Sequence, residues 1–337
     1  MNKEIVIVSA FFDINRETFE IHQRNDNQYM EYFKFWARIK NRVVIYCDPK
    51  NYQRIYSIRD DFGLADRTRI ICIEDIFSLD PEIYQQMCII SNNEDFRNSR
   101  FFKTALSNRA DYDYVMLLKY WCLNDAAKFF SEDVTYAWVD FGFNHGGQYY
   151  TDPKDFSFLW EYNFEDLITI FCLSHPDNIL GIDSFQFQKD CITGPLILVS
   201  SKYVKPFWDS IRFSMLSLIS LDCIDDDQQL LLMVYKLHKE WFKVIVCDWF
   251  EGIELCSSKQ FTTIKNIANS DDSNVINNSN KEQLVKSQKP LYKRMVQKFN
   301  SIKDKHSRKN NSQKHELTES QRFAERMYQK ASKYYGP

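Results

Sequence analysis

Apolar positions along the chain alternate between two rhythms. Ile5 to Phe12 is an unbroken run rich in β-branched residues and closed by Asp13, as in a strand buried on both faces. From Asn27 to Lys40 the spacing lengthens. Tyr29, Tyr32, Phe33, Trp36 and Ile39 recur every three or four positions, which predicts a helix. Arg42 to Asp48 returns to a strand, again ending on an acid and followed by Pro49. Tyr52 to Phe62 predicts a second helix and Thr68 to Ile73 a third strand. Such alternation is the pattern of parallel strands joined by crossover helices.

Asp75 to Ser107 reads as helical pieces around a polar loop at Ser91–Asn98. A stronger helix follows, with Val115, Leu118, Cys122, Ala126 and Phe129 along one face and Lys119 beside that stripe. The next apolar strand, from Val134, stops on Asp140 and opens into Gly142, His145, Gly146 and Gly147. Residues 156–173 mix aromatic and acidic side chains and give no clear period. Cys191 to Val199 predicts a strand bent at Gly194-Pro195, and Lys205 to Leu221 a helix. Asp225-Asp226-Asp227-Gln228-Gln229 leads into a helix over Leu230–Leu237, and Phe242 to Phe250 is a late strand. The fold class expected for residues 1–256 is α/β, a central, mostly parallel sheet flanked by helices.

After about Ser257 the apolar rhythm stops, and Asn, Ser, Lys and Asp predict a polar linker over residues 257–289. Residues 290–337 predict a basic amphipathic helical tail, with Leu291, Met295, Phe299 and Ile302 in one stripe and Phe323, Met327, Ala331 and Tyr334 in another. Charge sharpens this division. Residues 281–337 hold fifteen Lys/Arg against five Asp/Glu, whereas the remainder carries a net −13. Helices of that kind lie on anionic membrane surfaces, or else dock on the body.

Composition narrows the class further. With 337 residues, 44% hydrophobic and only eight Gly and eight Pro, the chain describes a globular protein with a large core. Nine scattered cysteines, odd in number and without a C-x-x-C pair, support neither a disulfide framework nor a zinc cluster, and point to a reducing compartment. The longest later apolar run, Phe213 to Leu221, is too short to span a bilayer. The expected location is cytoplasmic, with the basic tail resting on the inner face of the cytoplasmic membrane. There is no dinucleotide fingerprint, P-loop, nucleophile elbow, H-E-x-x-H or nucleic-acid module, so no nucleic-acid partner is expected.

Five places can carry chemistry. Asp140, at a strand end beside glycines, either begins a turn or faces a ligand at the carboxyl edge of the sheet. Asp140-Phe141-Gly142 has the frame of an Asp-x-Asp triplet with one carboxylate missing, and His145 could supply a second ligand to Mn²⁺ or Mg²⁺. Asp225-Asp226-Asp227 either caps a helix, with Asp225 and Gln228 spaced as a capping box, or presents a general base. In the second reading Asp227, or its neighbour Asp226, faces the cleft. Asp13, Asn15 and Arg16 follow the first strand, where Arg16 could pair with a phosphate. Lys119 either snorkels to solvent or reaches a diphosphate. Asp248 and Trp249 end the last strand and could close a sugar pocket.

With these residues in view, the chain resembles the HtrL/YibB family of bacterial proteins, found among lipopolysaccharide and capsule biosynthesis genes. The matching stretches are Ile7 to Arg16, Tyr114 to Lys119, Ala137 to Gly142, Asp227 to Gln229 and Cys247 to Phe250. The resemblance implies a GT-A-like nucleotide-sugar fold and a metal-assisted glycosyltransferase. Its donor would be a nucleotide sugar and its acceptor lipid-linked or an oligosaccharide. It also implies that Asp140 stands at the Asp-x-Asp position, that Asp227 is the acid of the Asp-Glu-Gln-like motif, and that Arg16 and Lys119 match other charged positions. Gly142 replaces the second acid and Gln228 a glutamate. The competing expectation is a non-catalytic scaffold that keeps the fold within a polysaccharide assembly complex.

Overall fold

In the computed structural model, which describes residues 4–20, 23–102, 105–130 and 133–269, the apolar runs predicted as strands all join one sheet. The strands are β1 (Ile5–Phe11), β2 (Val43–Cys47), β3 (Thr68–Cys72), β4 (Thr135–Val139), β5 (Ile168–Cys172), β6 (Ile192–Ser200) and β7 (Phe242–Val246). Their order is β3-β2-β1-β4-β6-β5-β7. β1 pairs in parallel with β2 and β4, β2 with β3, and β5 with β7. Only β6 runs against its neighbours, β4 and β5. This is the mostly parallel α/β sheet expected for the body.

The helices are α1 (Asp26–Trp36), α2 (Tyr52–Asp60), α3 (Pro81–Ser91), α4 (Glu94–Ser99), α5 (Ala110–Ala126), α6 (Gly181–Phe187), α7 (Val204–Ile219), α8 (Asp227–Leu237), α9 (Gly252–Leu255) and α10 (Ile264–Asn269). Because side chains alternate across a strand, each strand feeds two cores. Val6 and Val8 of β1 join the layer with α3, α5, α7 and α8, while Ile5 and Ile7 join that with α1 and α2.

Three sequence expectations are corrected. The polar stretch 91–98 holds a short helix, α4, begun by the Asn93 side chain accepting from Asp95 N at 2.8 Å. Residues 257–269, expected as linker, are ordered. Phe261 is buried in the second core, and Thr263 bridges to Tyr150. Helix α5 has no single apolar face, since Tyr114, Leu117, Leu118, Lys119, Tyr120, Cys122 and Leu123 are all buried. It touches β1 and β4 on one side and α3, α7 and α8 on the others, so sheet and helices claim its whole circumference. The bend expected at Gly194-Pro195 is present: β6 is continuous, but its pairing with β5 jumps from Ile170–Ile197 to Cys172–Ile192, so the extra residues lie on β6 around Gly194-Pro195. The expected tail, 290–337, lies outside the described residues, among which no helix is long and apolar enough to cross a membrane.

Two buried polar groups lock the second core. Asn41 donates to the carbonyls of Ile5 and Trp160 at 3.0 and 2.9 Å and accepts from Trp160 N at 2.8 Å. Arg59, fully buried, donates to Ala37 O and Ile39 O at 2.7 Å, to Asn41 O at 3.3 Å and to Thr68 Oγ1 at 2.8 Å. Burial pulls its pKa down to about 10, yet the guanidinium stays charged at neutral pH and satisfies the carbonyls after α1. Arg59→Met leaves those acceptors without donors, so the urea midpoint is expected to fall by the equivalent of about 2–4 kcal/mol. A change within about 0.5 kcal/mol would refute this role for the guanidinium.

Candidate active site

The strand order places a switch point between β1 and β4. The chain winds outward from β1 through β2 to β3, then returns to β4 on the opposite flank of β1. In open α/β sheets, ligands bind outside the carboxyl ends of strands at such a point. Here those ends carry Asp13 to Arg16 after β1 and Asp140 to Gly147 after β4.

The ammonium of Lys119 forms the centre of the site. Its Nζ lies 3.0 Å from Asp140 Oδ1, 2.8 Å from Asp227 Oδ2 and 3.4 Å from the carbonyl of Gly194. Asp140 Oδ1 also accepts from the indole of Trp138 at 2.7 Å, and Tyr120 donates to the Asp227 carbonyl at 3.0 Å. Lys119 and Asp227 are buried, while the Asp140 side chain stays 34% exposed. Burial alone would lower the lysine pKa, but the two carboxylates outweigh it and hold the group charged. Burial and the Asp140 charge raise the Asp227 carboxyl, while Lys119 opposes them. Lys119 thus neither snorkels to solvent nor stands alone. It joins Asp140 to Asp227 across the site.

Gly194 leaves room for this arrangement, because a Cβ there would stand 2.7 Å from Asp227 Oδ2 and 3.4 Å from Lys119 Nζ.

The start of α8 sorts its three acids into different tasks. Asp226, not Asp225, is the N-cap, accepting from Gln228 N at 3.1 Å. Asp225 turns inward to Arg100 at 2.8 Å, both side chains fully buried, and burial still pushes its carboxyl up to about 6. Beneath lies Asp113 of α5, with neither carboxyl oxygen hydrogen-bonded among the described residues. Burial, then the Asp225 and Asp226 charges, raise its carboxyl well above the usual range. Burial and the charges of Asp225 and Asp227 likewise raise Asp226 well above the carboxylate range. Asp190 adds negative charge next to Asp226 and Asp227.

The loop after β4 is wound left-handed. Asn144, His145, Gly146 and Gly147 have φ of 61°, 44°, 72° and 120°. Such a run costs about 1–2 kcal/mol per non-glycine residue, least for asparagine. Asn144 offsets this from inside, since its Oδ1 accepts from Tyr149 N and Tyr150 N at 2.8 and 2.9 Å and its Nδ2 donates to Tyr150 O at 2.9 Å. The imidazole of His145 sits between Tyr32 and Phe250, at 5.7 and 5.3 Å, with Nδ1 3.1 Å from Gln148 Oε1. Burial and the nearby Arg24 charge lower its pKa to about 4, so it is neutral at physiological pH. Arg16 donates to the Tyr29 hydroxyl at 2.9 Å and lies 5.3 Å from the Tyr112 ring.

Other sequence candidates are held differently. Asp13 is ion-paired with Lys50 and accepts from Asn15 N at 2.8 Å, in a cluster with Asp48 and Asp26. Asp248 is exposed and paired with Lys265 at 2.8 Å. Trp249 packs against the second core, and Phe250 beside it makes the ring contact to His145. Sequence reading missed Arg100, Asp113, Trp138, Asp190 and Gly194: Arg100 meets Asp225 across 125 positions and Gly194 meets Lys119 across 75, while Trp138 bonds Asp140 two positions away without forming a motif.

The donor set does not fit the expected divalent ion. Among the described residues no three His, Cys, Asp or Glu side chains converge as metal ligands. Asp140 Oδ1 already serves an ammonium and an indole, and His145 Nδ1 partners Gln148.

Two outcomes test this geometry. Gly194→Ala is expected to cost about 1–3 kcal/mol on urea unfolding; a neutral result would mean that Asp227 and Lys119 have space to move. For His145 the folded pKa lies below the unfolded one, so the unfolded chain binds more protons between about 4 and 6.5. That contribution to stability is present above 6.5 and is lost as pH falls toward 4. His145→Asn, which suits a positive φ, should lose less stability than the wild type over that window, and parallel curves would refute the shift.

Comparison with known proteins places the chain by sequence. The family model described as "Bacterial protein of unknown function (HtrL_YibB)" matches residues 3–258. Protein HtrL of Escherichia coli (strain K12) is 24% identical over 261 residues, which cover 72% of this chain and 88% of that protein. Among solved structures, mouse xyloside xylosyltransferase 1 in its apo form matches with a TM-score of 0.39 at 10% identity, covering 74% of this chain and 90% of its own. The PaToxG glycosyltransferase matches with a TM-score of 0.33 at 11% identity, covering 70% of each. Because the family model spans the whole sheet with its switch-point edge, the chain belongs to the HtrL_YibB family of bacterial proteins.

Proposed function

We propose that the protein is a GT-A-like glycosyltransferase, moving a sugar from a nucleotide-sugar donor to a lipid-linked or oligosaccharide acceptor of a bacterial surface glycan such as lipopolysaccharide or capsule. The observation that carries this reading is the convergence of Asp140 from β4 and Asp227 from α8 on one buried cation, at the switch point of the sheet. Arg16 and Arg24 add positive charge near the same loop, both close enough to depress His145. That combination suits a ligand with a phosphate-bearing part and a hydroxyl-bearing part.

In the proposed reaction the acceptor oxygen bonds to the anomeric carbon as the bond from that carbon to the phosphate oxygen breaks. The nucleoside diphosphate leaves with the electron pair, and the hydroxyl proton passes to a carboxylate. Asp226 suits that last task better than Asp227, because it is only half-buried and its raised pKa makes it a stronger base once ionised. Asp227 instead holds Lys119, and Asp140, partly open to solvent, orients sugar hydroxyls. Arg16 takes the donor phosphates, and the Gly142–Gly147 loop with Tyr29 and Tyr32 forms a wall. Asp13, Asp248 and Trp249 stand at the rim. The basic segment 281–337 supports contact with the anionic inner face of the cytoplasmic membrane.

Calorimetry across a panel of sugar nucleotides tests the reading directly, and no binding by the full chain would overturn it. Asp226→Asn is expected to lower turnover by about 10²–10⁴-fold with little change in donor affinity. The wild-type rate should climb with pH through a range above that of an ordinary carboxylate, as Asp226 loses its proton. Full turnover in Asp226→Asn would remove it as the base. Complete restoration of glycan synthesis in cells by Asp140→Ala would favour a scaffold instead.

A further inference from the structure

The position of Lys119 carries a conclusion about cations that deepens the transferase reading and rests on it for its consequence. Two carboxylates meeting across a cleft ordinarily repel, and a divalent ion is one way to hold them together. Here three oxygens surround an ammonium that belongs to the chain: Asp140 Oδ1 at 3.0 Å, Asp227 Oδ2 at 2.8 Å and Gly194 O at 3.4 Å. The lysine has no easy way out, since it is 4% exposed in the centre of a helix buried on nearly every side.

The neighbourhood is built around that occupant. Position 142, where a second acid would stand, is covered by α1, for a Cβ there would lie 3.2 Å from the Tyr29 ring and 3.5 Å from that of Tyr32. At position 194 a Cβ would collide with the Asp227 carboxylate. Trp138 donates to the same Asp140 oxygen that Lys119 contacts, so this oxygen faces two hydrogen-bond donors.

We infer that Lys119 is the resident cation of this site, filling the position between Asp140 and Asp227 that a divalent metal would otherwise take, and that donor binding proceeds without one. Lys119 is therefore a positioning residue. It fixes the Asp140 carboxylate toward the cleft, leaving the donor's diphosphate to Arg16 and Arg24.

The test uses the full chain, stripped with a chelator, and Mn²⁺ as the probe, followed by the loss of its free-ion electron paramagnetic resonance signal. Wild type should bind no Mn²⁺ that depends on Asp140. Lys119→Met frees both carboxylates and should bind the ion at least about tenfold more tightly than wild type, with Asp140→Asn removing the gain. If circular dichroism shows Lys119→Met to be unfolded, Lys119→Gln takes its place. An ion bound by wild type and lost in Asp140→Asn would overturn the inference, as would failure of both folded Lys119 variants to gain affinity. In parallel, calorimetry with uridine and guanosine diphosphates, in chelator and in Mn²⁺, should give affinities within about twofold of each other. Binding that requires Mn²⁺ would also overturn it. Absence of nucleotide binding under both conditions would sink the transferase reading, while the Mn²⁺ titrations would still decide the identity of the cation.

Discussion

A buried positive charge shared by two acids holds the carboxyl edge of this sheet in register. Lys119 comes from α5, Asp140 from the end of β4 and Asp227 from the first turn of α8, so one ammonium fixes three elements. Taking Lys119 and Asp227 out of water costs several kcal/mol per ion, and only close, well-directed contacts offset that. The contacts here meet the condition, at 2.8 and 3.0 Å, with Trp138 donating to the Asp140 carboxylate and Tyr120 to the Asp227 backbone carbonyl. The triad retains one net negative charge, which sets the character of the cleft. A phosphate must approach from the side of Arg16 and Arg24, while sugar hydroxyls suit the open face of Asp140.

Around that centre the walls are preorganised by different means. The left-handed turn at 144–147 stays in place because Asn144 imitates a strand, exchanging three hydrogen bonds with the backbone of Tyr149 and Tyr150. Packing of His145 between Tyr32 and Phe250 ties the loop to α1 and to the segment after β7. Beneath α8, the pair Arg100–Asp225 and the buried Asp113 give the acids a stiff floor. Binding surfaces fixed in this way lose little entropy when a ligand arrives.

Much of this was legible in the chain, for identifiable reasons. β1, β2 and β4 announce themselves because strands buried on both faces must be continuously apolar, and each ends on or just before the acid that marks the edge. Asp140, Asp227 and Lys119 stood out as charges next to apolar periods. Their meeting did not, because sequence gives no measure of the distance between positions 119 and 227. Helix α5 misled for a related reason: a helix enclosed on all sides has no polar face, so its apparent stripe was an accident of where its tyrosines and lysine fall. Asp225 looked like the cap by spacing alone, and only the burial of Arg100 shows why its neighbour takes that position.

The glycine at 142 has a consequence for how such a chain can diversify. Its missing side chain is matched by the rings of Tyr29 and Tyr32, so strand edge and first helix are fitted to each other as a unit. A lineage acquiring an aspartate there would have to trim or shift an aromatic residue more than a hundred positions earlier in the chain. Until it did, the newcomer would press on α1. The one-acid form of this edge is therefore held in place by packing as well as by chemistry, and exchange between the two forms requires paired changes.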